Sequence, residues 1–165
     1  MAELSRDNRL IMISNFLWGT AEGLWIYIYP LYIKSLGADP AQIGLVISSA
    51  LAAMSITFIP AGFLADRYSR RKLILSSYLF GGGGMVLIAM ARDWRQIIPG
   101  LLLYYASAFS MPATNSYIAY ASQGQDLNRT YTVISSAYSA GLILSPSVGG
   151  WVGEEFGMRS IFWLS

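Results

Sequence analysis

Long stretches without a charged residue constrain this chain more than any other feature of its sequence. Residues 41–65, 73–91, 96–125 and 130–153 contain no Asp, Glu, Lys or Arg, and a fifth apolar run, 10–33, carries only Glu22. A helix needs about 20 mostly apolar residues to cross the hydrocarbon core of a bilayer, so each run is long enough to span it. Because lipid offers no hydrogen-bond partner to an exposed backbone, the sequence predicts an all-α membrane protein.

Five membrane-spanning helices and the beginning of a sixth account for most of the 165 residues. Only 12% of the residues are charged, which is about half the share in an ordinary soluble domain and too little to cover a soluble surface. The spans are expected at 10–33, 41–65, 73–91, 96–121 and 130–153, with a sixth starting at 160–165. They form one transmembrane domain over residues 1–165.

The chain contains no cysteine and no histidine. It therefore lacks the usual ligands of haem, zinc and iron–sulfur clusters, and we expect neither a metal nor a cofactor. The spans also show no paired carboxylates and no nucleophile with a neighbouring base, so an enzyme is the function class that the sequence favours least.

Basic residues are unequally distributed between alternate loops, and this bias predicts the orientation in the membrane. The N-terminus and the second and fourth loops hold Arg6, Arg9, Arg67, Arg70, Arg71, Lys72 and Arg129, against Lys34, Arg92, Arg95 and Arg159 in the others. Because basic residues near span ends favour the cytoplasmic side, we expect a multi-pass protein of the inner or plasma membrane with a cytoplasmic N-terminus. The bias also explains the pI near 8.9 without a nucleic-acid partner.

Two segments of the sequence recur at nearly the same offset. Residues 46–50 (VISSA) return as 133–137, and 62–71 align with 150–159. The offsets of 87 and 88 residues cover three spans, an odd number, so the second copy lies in the membrane with opposite polarity. Inverted repeats of three spans are typical of transporters.

One loop carries a recognisable motif. The segment 62–71, GFLADRYSRR, resembles the signature loop between spans two and three of the major facilitator superfamily, G-x-L-a-D-r-x-G-r-[RK], with Ser69 in place of a Gly. The resemblance implies the 3+3 inverted-repeat N-terminal half of that fold, ending as the sixth span begins. The chain is then either a fragment or a natural truncation, its missing partner is the C-terminal half of the transporter, and alone it should not transport.

The signature loop is expected to control opening on the cytoplasmic face. Gly62 would permit close helix approach, Asp66 would face the positive end of a neighbouring helix, and Arg70 would pair with Asp126. The resemblance implies that this cluster latches the two halves of the transporter together; a purely topogenic basic loop is the alternative. The gating residues are Gly62, Asp66, Arg67, Arg70, Arg71 and Asp126.

A second motif lies in span five. Residues 141–150, GLILSPSVGG, resemble the pattern G-x-x-x-G-P-x-x-G-G, which is associated with antiporters, with Ser145 in place of a Gly. Gly141, Ser145 and Gly149 form a small-residue face on which a helix can pack, and Pro146 should kink the span. Ordinary close packing is the alternative reading. The motif consists of Gly141, Ser145, Pro146, Gly149 and Gly150.

Span one contains the best candidate for a binding site. Its polar and aromatic residues follow helical spacing on one face, with Gly19 and Gly23 beside them. Glu22 is an ionisable residue in mid-span, and such residues usually face a bundle interior or a water-filled path. We interpret Glu22 as a coupling or cation-binding carboxylate, with a structural hydrogen-bond partner as the alternative. The expected path residues are Asn15, Trp18, Glu22, Trp25 and Tyr29 of span one, and Tyr104 and Asn115 of span four.

The leading functional hypothesis is half of a secondary active transporter for a small organic solute, working by alternating access, with proton-coupled export as the first form. Many proton-coupled exporters of the superfamily carry an Arg in span four, and this sequence has none there. A uniporter or symporter importing a metabolite is the second hypothesis. The third belongs to another class, a truncated membrane protein that serves as a scaffold or regulator. The expected partners are lipid, a small-molecule substrate and protons.

Overall fold

A computed structural model describes residues 4–124 and 126–165, and within these ranges all regular structure is helical. In chain order the helices are α1 (Arg6–Trp25), α2 (Tyr29–Ser35), α3 (Pro40–Arg67), α4 (Arg70–Met90), α5 (Trp94–Ala106), α6 (Met111–Ala121), α7 (Leu127–Leu144), α8 (Pro146–Phe156) and α9 (Met158–Leu164), with a 3₁₀ turn over Ser107–Ser110 between α5 and α6. The predicted all-α class is confirmed.

Three helical segments in the described ranges are long and apolar enough to cross a membrane: Pro40–Arg67, Arg70–Met90 and Trp94–Ala121. They coincide with the second, third and fourth expected spans. The first expected span runs through α1 and α2 and is interrupted after Trp25, and the fifth runs through α7 and α8 and is interrupted at Ser145. Each second piece has a proline within its first two positions, where the missing N–H costs no hydrogen bond.

Side chains that precede the helices fix several of their beginnings. Asp39 and Gln42 form a capping box at the start of α3, in which the Asp39 carboxylate accepts from the Gln42 amide at 2.8 Å and Gln42 Oε1 accepts from the Asp39 amide at 3.0 Å. Asp93 caps α5 in a similar way. At the junction of α8 and α9, Gly157 adopts a φ of 83°, which glycine reaches without a steric penalty.

The contacts between helices show the symmetry expected of an inverted repeat, in which a contact between two spans has an equivalent contact between their counterparts. Helix α1 packs most extensively against α7, so span one contacts span five, and α3 packs along α5 and α6, so span two contacts span four. Helix α4 lies against α5 and also contacts the short α9. Arg159, just inside α9, donates from its guanidinium to the carbonyl of Ala91 at the end of α4, at 2.7 Å.

The core lies where α1, α2, α4, α5 and α9 meet. Its largest fully buried side chains include Trp25, Phe162, Ile88 and Leu101. Large apolar side chains on the outer faces of the bundle are exposed, among them Ile59 at 82% and Leu79 at 77% of their surface. In a membrane these faces meet lipid, where an exposed apolar side chain carries no penalty.

Candidate functional site

Span one, which consists of α1 and α2, turns most of its predicted polar face into the bundle. Trp25 and Tyr29 are buried, and Trp18 and Glu22 are half-buried. Asn15 is also half-buried, but its side-chain amide donates to the carbonyl of Ile11 in its own helix, at 3.0 Å. The structure thus gathers four of the five residues expected on this face and gives Asn15 a local hydrogen bond instead of a partner across the bundle.

The carboxylate of Glu22 has a partner that lies 116 residues away along the chain. The hydroxyl of Tyr138, on α7, donates to Glu22 Oε2 at 2.8 Å. Tyr104 of α5 and Trp18 of α1 also face this carboxylate. A carboxylate within an apolar bundle is costly unless such donors surround it, so the arrangement accounts for how Glu22 is held in mid-span.

Aromatic rings surround this carboxylate on the side of α4 and α5. The ring of Trp18 stacks on that of Tyr104, with centroids 5.8 Å apart and an interplanar angle of 9°. Trp25 meets the same Tyr104 edge-on at 5.0 Å, and Trp18 also contacts Tyr78 at 5.4 Å. A negative charge bordered by several aromatic side chains offers an organic cation direct charge pairing, with aromatic rings close by.

Glycines bring α1 and α7 into backbone contact on either side of Glu22. A Cβ built on Gly141 would lie 2.5 Å from the carbonyl oxygen of Phe16 and 2.6 Å from the amide nitrogen of Thr20, and one built on Gly23 would lie 2.7 Å from the carbonyl oxygen of Leu142. Gly19 meets the backbone of Tyr138 more closely still. The helices therefore approach to distances that only glycine permits. We call the glycines at this contact the glycine seam: Gly19 and Gly23 of α1, Gly141 of α7 and Gly149 of α8, each of which meets the backbone of the facing helix.

The span-five motif divides into an inner and an outer part. Gly141, Ser145 and Gly149 are buried against α1, and a Cβ on Gly149 would collide with the backbone of Leu24. Pro146 begins α8 after the break at Ser145, whose hydroxyl donates to the carbonyl of Gly141 at 2.8 Å. Gly150 is exposed, and a Cβ there would meet nothing within 4 Å.

Of the two residues expected to face the site from span four, only Tyr104 does so. Asn115 lies at an exposed position on α6, and its backbone carbonyl accepts from the hydroxyl of Tyr131 at 2.7 Å. The 3₁₀ turn at Ser107–Ser110 divides the span between the two residues, so the helical register that would align them is not continuous.

The signature loop presents its charged residues to the exterior. Gly62, Asp66, Arg67, Arg70 and Arg71 are all exposed, and a Cβ on Gly62 would meet nothing within 4 Å, so no close helix approach occurs there within this chain. The guanidinium of Arg67 lies over the Phe63 ring at 4.1 Å, and that of Arg70 over the Tyr120 ring at 5.9 Å.

The expected pairing of Arg70 with Asp126 does not form in this structure. Asp126 instead caps α7, where its carboxylate accepts from the amide of Arg129 at 3.1 Å. The first amides of a helix have no partner within the helix, so a carboxylate directly before them finds its donor locally.

Sequence reasoning missed Tyr138, although a signal for it was present. Tyr138 precedes Gly141 by three residues, and Ser145 and Gly149 follow at intervals of four. This spacing places Tyr138 on the same helical face as the small residues. Extending the small-residue face by one turn would have identified a phenol on the surface that packs against the helix of Glu22.

Comparison with known proteins agrees with the resemblance of the signature loop. A family model of the Major Facilitator Superfamily matches residues 11–165. An uncharacterized MFS-type transporter of Methanocaldococcus jannaschii is 26% identical over 164 residues, covering 99% of this chain and 42% of that protein. Multidrug resistance protein 2 of Bacillus subtilis is 28% identical over 165 residues, covering 94% of this chain and 39% of that protein.

A third relative, multidrug resistance protein MdtG of Yersinia enterocolitica, is 30% identical over 156 residues, covering 91% of this chain and 37% of that protein. The chain thus spans about two fifths of the length of these relatives. Because the family model extends over nearly all of its helices, the chain belongs to the major facilitator superfamily.

Proposed function

We propose that this chain forms the N-terminal half of a secondary active transporter that moves a small organic solute by alternating access. The observation that carries the proposal is the carboxylate of Glu22, held inside the bundle by Tyr138 and bordered by the rings of Trp18 and Tyr104. Because the chain covers about two fifths of the length of its relatives, we expect the transporter to have a second half, which supplies the other wall of the path.

Glu22 is the coupling or cation-binding carboxylate of this transporter. None of the five expected spans contains a basic residue, so the spans of this half offer Glu22 no positive partner within the membrane. A carboxylate without such a partner is available to a proton or to a cationic solute, and the surrounding rings favour a solute that is partly aromatic.

Export by proton exchange is the leading form of the activity. It is supported by the span-five pattern and by relatives whose names describe them as multidrug resistance proteins. Import of a metabolite by a uniporter or symporter uses the same alternating access and differs in which gradient drives the solute.

A screen of solute movement in proteoliposomes tests this function. The complete two-half transporter is reconstituted, and efflux of organic cations, neutral aromatic compounds and sugars is measured with and without a pH gradient across the vesicle membrane. We expect organic cations to move uphill only when the gradient is imposed. Movement that ignores the gradient favours a uniporter, and no movement by correctly inserted protein contradicts transport and favours a scaffold or regulatory protein.

The signature loop is the cytoplasmic latch between the two halves. In the part of the chain that the structure describes, Asp66 is exposed and forms no hydrogen bond or ion pair, which supports a partner in the second half. An acidic group at this position is suited to the positive N-terminal end of a helix.

Replacing Asp66 by Asn in the complete transporter tests the latch. We expect the transport rate to fall about ten-fold, since a charge at a helix end in a partly buried contact contributes up to about 2 kcal/mol. Asp93→Asn is the matched control, because Asp93 caps α5 at the other end of the bundle and Asn also caps well. Equal transport by the Asp66→Asn protein and the wild type, at equal insertion, contradicts the latch and leaves a topogenic loop.

A further inference from the structure

We propose that Tyr138 is a positioning residue for Glu22, which directs the carboxylate of span one towards the aromatic rings of spans one and four. This inference rests on the role proposed for Glu22. The hydroxyl of Tyr138 donates to one carboxylate oxygen, Oε2, at 2.8 Å. Tyr104 and Trp18 also face the carboxylate, and a proton or a cationic solute binds at the oxygen that Tyr138 does not occupy.

The need for such a residue follows from the flexibility of glutamate. A Glu side chain has several rotatable bonds, and holding it in one conformation costs rotamer freedom. Trp18 and Tyr104 are held against each other by stacking at 5.8 Å, so the ring surface is fixed while the carboxylate needs a separate restraint. A hydrogen bond to a charged acceptor is strong enough to supply it.

The backbone of Tyr138 is itself anchored to the helix that carries Glu22. Its carbonyl group fills the space in which Gly19 lacks a Cβ, one turn before Glu22. One turn further along α7, Gly141 lies against the backbone of Phe16 and Thr20. The donor and the acceptor therefore stand on two helices whose separation is set by direct backbone contact.

This anchoring keeps the hydrogen bond intact when the transporter changes conformation. Alternating access moves one half against the other as a largely rigid body, and both α1 and α7 belong to the same half. Glu22 takes up its proton at the oxygen that Tyr138 does not occupy, and Tyr138 retains its own proton throughout. The phenol orients the carboxylate and takes no part in proton transfer.

Infrared difference spectroscopy tests the inference without knowledge of the solute. The protein is placed in lipid nanodiscs, and spectra are recorded between acidic and alkaline pH, with protons as the only ligand. The carboxyl band of Glu22 is the one that Glu22→Gln removes. In the described residues the titratable groups that face it are Tyr104, Tyr105 and Tyr138, and their ring modes are assigned from the matching Phe variants.

We expect Tyr138→Phe to move the Glu22 carbonyl band to higher wavenumber, because the C=O group loses a hydrogen-bond donor. Tyr131→Phe is the matched control: it removes the same hydroxyl from the same helix, where that group bonds to Asn115 and not to Glu22. Glu22→Asp shortens the side chain by one methylene group and so withdraws the carboxyl from the hydroxyl of Tyr138. Its carbonyl band should therefore also move to higher wavenumber. Adding Tyr138→Phe to Glu22→Asp should cause no further shift.

The outcomes separate this inference from the proposed function. A Glu22 band that is the same in Tyr138→Phe and in the wild type overturns the positioning role alone. A spectrum with no band that Glu22→Gln removes overturns the positioning role together with the coupling role of Glu22, because Glu22 then does not titrate. Where Tyr138→Phe protein inserts poorly, Glu22→Asp alone is compared with the wild type, and a carboxyl band that stays at the same wavenumber contradicts the inference.

Discussion

We expect replacement of Gly141 by Ala to destabilise the protein, and replacement of Gly150 by Ala to leave its stability unchanged or slightly higher. Both glycines lie in span five, but they face opposite surroundings. A methyl group on Gly141 would lie 2.5 Å from the carbonyl oxygen of Phe16 and 2.6 Å from the amide of Thr20, and one on Gly150 meets nothing within 4 Å. Because the obstructing atoms of α1 belong to its backbone, they cannot yield by changing rotamer.

The expected magnitude follows from two opposing effects. Forcing an extra methyl group into a packed interface costs about 1–3 kcal/mol. Alanine also favours a helix over glycine by up to about 1 kcal/mol, and this gain is common to both variants. Gly141→Ala should therefore lose stability on balance, and Gly150→Ala should be neutral or gain slightly.

Heating the purified protein in detergent and following the loss of helical circular dichroism measures the difference. The midpoint should fall for Gly141→Ala and remain at or above that of the wild type for Gly150→Ala. Equal midpoints for the two variants would show that α1 and α7 do not meet along the glycine seam. Gly62→Ala serves as a second control, because Gly62 also has open space around it.

The sequence predicted those parts of the fold in which a local pattern of residues is enough to determine the local structure. A run without charges becomes a helix because lipid permits little else, and Pro40–Arg67 and Arg70–Met90 follow the charge-free windows within a few residues. Residues spaced by three and four share a helical face whatever lies opposite. Trp18, Glu22 and Trp25 therefore point the same way in the structure, as expected.

Partners across the bundle were not predictable from the same patterns. Asn15 lies in the polar row of span one, but it bonds to the carbonyl of Ile11, because a polar side chain inside an apolar bundle takes the nearest acceptor that its own helix offers. Asp126 takes the amide of Arg129 for a similar reason. The helix rules that place Asp directly before a first turn would have predicted this cap.

The interruptions within spans one and five could not be predicted from hydropathy either. The 10–33 run appeared continuous, yet α1 ends at Trp25 and α2 begins at Tyr29. A proline at the start of α2 and another at the start of α8 mark both breaks. Pro146 was expected to kink its span, but nothing in the periodicity around Pro30 distinguished a bend from a separate short helix.

Replacing Glu22 by Gln should abolish the proton-driven transport that we propose for the complete transporter, while it leaves the fold intact. Gln has nearly the same shape, and its side-chain oxygen still accepts from the hydroxyl of Tyr138, so the contact at 2.8 Å in the wild type is preserved. What is lost is the ability to carry a charge or to take up a proton. Without a group that can take up and release a proton in mid-span, uphill movement of the solute should fall to the level of vesicles without protein.

Two assays on the complete transporter distinguish coupling from binding of the solute. Uphill movement driven by a pH gradient requires the carboxylate to change its protonation state, whereas exchange of labelled for unlabelled solute at equal pH does not. If Glu22 couples, Glu22→Gln should lose the first and keep the second. If it binds a cationic solute, both should fall, and neutral aromatic solutes should be affected least.

The control for this variant is Glu154→Gln, which removes an exposed carboxylate near the end of α8. It changes the net charge by the same amount and should leave both assays as they are in the wild type. A Glu22→Gln protein with full gradient-driven transport contradicts both roles of the carboxylate. Glu22 would then serve only as the acceptor for Tyr138, a role that the neutral amide of Gln fills as well because it also offers an oxygen to the phenol.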